Sequence, residues 1–249
     1  MIAAHQASNL PAQFFVATSS HKNGTIRHPA LDKSAAKNIK AWCQDLRVPL
    51  ASTVGLYVTY GTEHSYTDIV RVDAPLDAAE ASIPEGWLHA DALVTDVPGL
   101  ALLLPVADCN AVVYADPVKG VIVLAHLGWH ATIRDLAAKV VRYLAEEYGS
   151  RPEDISVYNS PSIRADSYRF THLENTDQTL WHNEPYAVRQ PDATRAIDLV
   201  KYNYDQWTQA GILPEHIEIV GIDTAKSKDY PSHFAGETGR FAVLAMLKP

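Results

Sequence analysis

Three side chains in this 249-residue chain could assemble reactive chemistry: the thiol of Cys109 and the imidazoles of His64 and His126. Cys109 stands in Val106-Ala107-Asp108-Cys109-Asn110, where one apolar run ends and the next begins. His126 closes the following run, in Leu124-Ala125-His126-Leu127-Gly128-Trp129-His130, just ahead of a helical pattern. Neighbouring strands lie about 4.8 Å apart. Two strands joined by a tight turn would therefore bring both side chains to one end of a sheet, where α/β proteins collect functional groups. A thiol and an imidazole at one point allow two chemistries. They are a nucleophile and its base, or two metal ligands that need a third. His64, in Gly61-Thr62-Glu63-His64-Ser65, lies between two strand-like runs and is the candidate third ligand. Two His and one Cys would leave zinc a fourth position for water or substrate, with the pKa of bound water lowered to about 7.

The elements that must position these residues follow from periodicity. Residues 33–46 place Ala35, Ala36, Ile39, Trp42, Cys43 and Leu46 at helical spacing, with Asp32 as cap. Cys43 thus reads as a small core residue. Strand-like runs follow at Thr53–Tyr60, Asp68–Val72, Ala92–Thr95, Leu100–Val106, Ala111–Ala115 and Val121–Ala125. Several are continuously apolar, as strands buried on both faces are. An amphipathic helix is predicted over Thr132–Tyr148, ended by Gly149, then a strand at Ile155–Tyr158. A second long helix is predicted over Ala193–Ala210, and the last strands at Ile217–Val220 and Phe241–Leu247. Strands outnumber helices and often follow one another directly. That pattern is α+β, with mixed sheets flanked by helices.

Composition narrows the function classes. Apolar residues make up 47% of the chain and charged residues 20%, as in compact soluble proteins. The net charge of −8 and the lack of a Lys/Arg run exclude general nucleic-acid binding. No run approaches the roughly 20 apolar residues that span a bilayer. The N-terminus lacks the pattern of a signal peptide, so a cytoplasmic protein is expected. Two cysteines form no disulfide framework.

The Ala107-Asp108-Cys109 and His126-Leu127-Gly128-Trp129-His130-Ala131 segments resemble the YfiH-like laccase-domain family, also known as multicopper polyphenol oxidoreductases. Its hallmark is Ala-Asp-Cys followed by His-Ala-Gly-Trp-Arg-Gly. Thr62-Glu63-His64 is similar to the family's Gln-x-His turn, and Asp91-Ala92-Leu93-Val94-Thr95 to its Asp-Ala-Leu-Val-Thr strand. Ser160-Pro161-Ser162-Ile163 with Tyr168, and Thr238-Gly239-Arg240, continue the match to the C-terminus. The resemblance implies one domain over residues 1–249, an α/β/β/α sandwich of mixed sheets like the cytotoxic-necrotizing-factor deamidase fold. It also implies a zinc held by His64, Cys109 and His126. The implied reactions are phosphorolysis of purine nucleosides and deamination of adenosine, on a small nucleoside with or without phosphate. The laccase label fits poorly, because none of the 11 histidines forms a His-x-His pair.

Departures from the family pattern carry their own expectations. His130-Ala131 replaces Arg-Gly, Asn110 replaces a residue that usually precedes Pro, and Thr62 replaces Gln. The N-terminal Thr-Arg-x-Gly-Gly element is reduced to Thr18-Ser19-Ser20-His21-Lys22-Asn23-Gly24, and Ser-Tyr-Arg-Arg has become Ser232-His233-Phe234-Ala235. Arginines are natural phosphate clamps. Their loss leaves Arg240, with Lys22 or His130, as the expected anion donors, and predicts weakened phosphate binding with deamination better preserved. Asp108 is expected either to orient a ligating imidazole or to cap a strand end. Arg240, His130 and Ser162 are the expected substrate-binding residues, and His233 falls near the site by family position. His21, His28, His172, His182 and His216 sit in polar surroundings and read as surface residues. Two other readings stay open: a metal-free hydrolase or amidase using Cys109 with His126 as base, and a catalytically silent binding protein.

Overall fold

A computed structural model describes residues 7–58, 60, 64–75, 87–171, 181 and 185–249. The apolar runs form two mixed sheets, and the period-2 alternation of each strand decides what each face meets. The first sheet has the order β1–β14–β6–β2–β4, from β1 (Phe14–Thr18), β2 (Thr53–Tyr57), β4 (Trp87–His89), β6 (Ala101–Val106) and β14 (Phe241–Leu247). The second has the order β13–β9–β7–β8–β5–β3, from β3 (Ile69–Arg71), β5 (Ala92–Thr95), β7 (Asn110–Asp116), β8 (Val121–Leu127), β9 (Ser156–Asn159) and β13 (Ile217–Ile219). A small third sheet joins β10 (Arg169–Phe170), β12 (Arg195–Ile197) and β11 (Ala187–Arg189).

Alternate residues of the two large sheets meet in one buried layer. Leu102, Leu104 and Val243 of the first sheet pack there with Val113, Ile122 and Leu124 of the second. The opposite face of the first sheet is covered by α1 (Ala35–Leu46), through Ile39, Trp42 and Cys43 against Leu103 and Leu244. The opposite face of the second sheet is covered by α3 (Leu136–Tyr148) and α4 (Leu199–Gln209), where Val140, Leu144 and Trp207 pack on Val112, Val123 and Ala125. The layers therefore run helix, sheet, sheet, helix. None of the helices is long and apolar enough to cross a membrane among the described residues.

Several predicted boundaries shift for local reasons. The Thr132–Tyr148 helix is broken into α2 (Trp129–Ile133) and α3, because Asp135 adopts a left-handed conformation at φ 59°. The predicted 193–210 helix starts only at Leu199. Ala193 turns the chain at φ 68°, residues 195–197 pair as β12, and the Asp198 carboxylate caps α4 by accepting the Lys201 N–H at 2.9 Å. Asp32 does not cap α1 directly; its carboxylate accepts both the N–H and the hydroxyl of Ser34 one step earlier. Strands β1, β4, β10, β11 and β12 were not expected; the last four have only two or three residues each. Gly61, Thr62, Glu63, His172 and His182 lie outside the described residues.

Candidate active site

Antiparallel β7 and β8 set the first two site residues. Their register pairs Ala111 with His126 and Asn110 with Leu127. Cys109, one step before β7, shares the face of Ala111, so its side chain lies diagonally beside His126 on the side turned toward the first sheet. Asp108 bends the chain at this point, with a φ of 79° that few non-glycine residues adopt. Its carboxylate is taken up by its own corner: it accepts the Thr224 hydroxyl at 2.6 Å and the Phe234 N–H at 2.7 Å. Asp108 thus fixes the turn before Cys109 and the loop after Thr224, and among the described residues its carboxylate accepts no hydrogen bond from an imidazole.

The closeness of Cys109 and His126 can be read at Gly128. A β-carbon there would stand 3.0 Å from Cys109 Sγ, 2.7 Å from His126 Cε1 and 3.1 Å from His126 Nε2. Sulfur and imidazole border one small space that only glycine leaves open. Burial, with the Asp108 carboxylate adding to it, pushes the Cys109 thiol up to about 12. Burial also holds the His126 imidazole down to about 4, with His130 contributing. The pair is a neutral thiol beside a neutral imidazole.

His64 sits one strand further along. Its Nε2 lies 3.2 Å from Asp91 Oδ1, and its ring packs edge-on against Tyr66, 4.8 Å between centroids. Asp91 is fully buried, and its other carboxylate oxygen accepts the Asp68 N–H at 2.9 Å. Burial raises the Asp91 carboxyl above its ordinary value. Among the described residues, the group of three ligand-type side chains drawn within 4.8 Å of one another is His64, Asp68 and Asp91. Cys109 and His126 are not members of that group. The link to β8 is nevertheless short, since the Asp91 carbonyl accepts the His126 N–H at 2.8 Å.

Above Cys109 and His126 opens a cavity of about 580 Å³ between the ends of the two sheets. Aromatic rings form much of its wall, among them Tyr60, Tyr66, Trp129, Tyr168 and Phe170. Trp129 packs against Phe170 and Trp181, with centroids 5.2 and 5.6 Å away, and is held in place by them. His130 lies flat on Tyr66 at 4.3 Å and 14°. Among the described residues, the basic lining consists of Arg27 and Arg240, with the imidazoles of His28, His126, His130 and His233 beside them, and no carboxylate is among the lining residues.

The expected site residues therefore divide. Cys109, His126, His130, Arg240 and His233 line the cavity. Ser162 does not: it is fully buried, forms an isolated bridge with Asp223, and among the described residues its hydroxyl has no hydrogen-bond partner. His28, expected on the surface, is a correction. It is 3% exposed, packs between Tyr57 and Trp87, and borders the cavity. His21 is exposed beside Glu237 as expected, whereas His216 is half-buried. Arg27 went unnoticed because nothing in its local sequence marks it. Only the antiparallel return of β14 places Arg240 next to the 25–27 segment, where the Ile26 N–H donates to the Arg240 carbonyl at 2.9 Å.

Comparison with known proteins agrees with this architecture. The crystal structure of the Bacillus licheniformis hypothetical protein YfiH superposes with a TM-score of 0.79 at 26% identity, covering 95% of this chain and 93% of that one. YlmD from Geobacillus stearothermophilus superposes with a TM-score of 0.80 at 22% identity, covering 98% and 94%. In sequence, the chain is 34% identical over 136 residues to the Mus musculus protein named purine nucleoside phosphorylase LACC1, covering 54% of this chain and 30% of that protein. It is 29% identical over 163 residues to purine nucleoside phosphorylase YlmD of Bacillus subtilis, covering 64% of this chain and 59% of that protein. A prokaryotic protein named adenosine deaminase RL5 is 29% identical over 140 residues, which cover 55% of this chain and 52% of that one. The aligned stretches thus span less than two thirds of these relatives. The family described as multi-copper polyphenol oxidoreductase laccase matches residues 23–248, and the chain belongs to that family.

Proposed function

We propose that the chain, acting as one unit over residues 1–249, is a zinc-dependent enzyme of purine nucleosides, working as a phosphorylase, an adenosine deaminase or both. The observation that carries this reading is the convergence of Cys109 and His126 on one point at the floor of an aromatic-walled cavity. The names of the relatives favour the same substrate class. Planar bases stack on aromatic rings, and Trp129, Tyr168 and Phe170 supply such a wall. His130 and Arg240 border the same space and are assigned to substrate binding.

The donors suit zinc. A thiolate and an imidazole are its common ligands, and His64 is the proposed third. Its contact with Asp91 matches the carboxylate that usually orients a ligating imidazole. When bound, the ion supplies a Lewis acid and a water of lowered pKa. The metal-free hydrolase reading is weaker. It needs the Cys109 proton to pass to His126, and burial disfavours both the thiolate and the imidazolium that would result.

The test is turnover of adenosine, inosine, guanosine and methylthioadenosine, with and without phosphate, by protein purified without chelator and assayed for zinc. Release of free base or of inosine, lost on chelation and restored by zinc, supports the reading. A zinc-free protein that turns over none of these nucleosides overturns it.

A further inference from the structure

Tyr168 gives the cavity wall a ring and, beyond the ring, a hydroxyl that the fold leaves unused. Its backbone is tied on both sides: the N–H donates to the Arg164 carbonyl at 2.9 Å, and the carbonyl accepts the Ile197 N–H at 3.0 Å. Its ring is wedged edge-on among Trp129, Phe170 and Phe234, with centroids 6.2, 4.7 and 5.4 Å away. The phenol is therefore held in place by the fold itself.

Among the described residues, the Tyr168 hydroxyl has no hydrogen-bond partner. Other phenols of the interior do. Tyr114 donates to the Ala137 carbonyl and accepts the Trp207 indole N–H, Tyr158 pairs with the Thr18 hydroxyl, and Tyr186 donates to Asp205. The Asp108 carboxylate is near enough to act on Tyr168, yet its oxygens accept from Thr224 and Phe234 instead. Burial, with Cys109, Asp108 and Tyr60 nearby, raises the phenol well above its ordinary value. It stays protonated at neutral pH and can donate. Pockets orient their ligands through a few polar groups set in apolar walls. A sheltered donor without an acceptor costs free energy until a ligand supplies one.

We propose that Tyr168 reads the base, its hydroxyl donating a hydrogen bond to a ring nitrogen of the purine, N7 or N3. The ring planes of Tyr168 and Trp129 cross at 89°. A base stacked on Trp129 is thus perpendicular to the Tyr168 ring, which cannot stack on the same face and acts through its hydroxyl. The proposal rests on the reading of this cavity as a nucleoside site, and makes Tyr168 a determinant of specificity within it.

The experiment is calorimetric titration of the full chain and of Tyr168→Phe with inosine, 7-deazainosine and 3-deazainosine in phosphate-free buffer. Inosine is chosen because neither proposed reaction consumes it without phosphate. The substitution keeps the ring and its packing, and circular dichroism with melting curves verifies the fold. Tyr168→Phe is expected to weaken inosine binding about three- to tenfold, the loss of one hydrogen bond. The analogue lacking the accepting nitrogen should bind both proteins alike. Disappearance of the difference with 7-deazainosine assigns the contact to N7, and with 3-deazainosine to N3. A variant that binds inosine as tightly as the wild type overturns the proposal and leaves the nucleoside reading standing. Equal weakening toward all three nucleosides also overturns it, because the hydroxyl then meets the ribose or the 6-oxo group. A wild-type chain that binds none of the three overturns the nucleoside reading itself, and the assignment of Tyr168 with it.

Discussion

Gly128 lies directly against His126, so closely that a β-carbon on the glycine would stand 2.7 Å from the imidazole Cε1. Its own backbone is ordinary, with φ −81° and ψ −177°, and alanine would tolerate it. The demand for glycine comes from the site. Gly128→Ala should therefore displace His126 and Cys109 while leaving the sheets intact. Overpacking of this kind costs about 1–3 kcal/mol of stability, whereas misplacing reacting groups by about 1 Å costs on the order of 100-fold in rate. Melting curves beside nucleoside kinetics would check this. A variant with unchanged kcat/KM would show that the space bordered by sulfur and imidazole is not where reaction occurs.

The buried His126 makes stability depend on pH. Its imidazole is held at about 4, against an ordinary value of 6.5. Between these values the unfolded chain binds the proton and the folded chain does not. The contribution is therefore fully present above about pH 6.5, and is lost as pH falls toward 4. Complete loss corresponds to about 3 kcal/mol. Urea titrations of chelator-treated protein from pH 7 to pH 4 should show this slope, reduced in His126→Gln. Parallel slopes in the two proteins would refute it.

Asp91 acts at two points, holding His64 by its carboxylate and His126 by its carbonyl. Asp91→Asn keeps the size and the backbone contact but removes the charge beside His64. Carboxylates that orient metal ligands typically contribute about 10- to 100-fold in metal affinity or activity. Zinc competition against a chromophoric chelator should show a loss in that range, with melting temperature little changed. Unaltered zinc affinity would separate His64 from the metal centre.

Elemental analysis should find about one zinc per chain in wild type, lost in Cys109→Ala and His126→Ala. Phenol oxidation should be weak despite the family's description, because the histidines form no His-x-His pair. Several coppers per chain with efficient oxidation of a phenolic substrate would contradict this.

Much of the fold was legible in the sequence because its central strands are continuously apolar, as Val121–Leu127 is, and their turns are marked by Asp116-Pro117 and Lys119-Gly120. The pairing of Cys109 with His126 was legible for the same reason, since one hairpin fixes it. The 193–198 segment misled because its apolar residues also suit a helix, and only the conformation of Ala193 and the Asp198 cap decide against one. Arg27 and His28 could not be read locally. They reach the cavity through pairing with a strand more than 200 residues away, and local periodicity carries no trace of such contacts.

The cavity floor belongs to one sheet, while Arg240 precedes a strand of the other. The distance from thiol to guanidinium is therefore set by the thickness of the hydrocarbon layer between the sheets. Leu104, Val106, Leu124 and Phe241 fill that layer and bear no reactive group, yet they act as spacers for the chemistry. Shortening one of them would let the two halves settle toward each other and retune substrate preference from a distance. Variation within this layer is thus a route by which relatives sharing the same reactive groups could diverge in the molecules they accept.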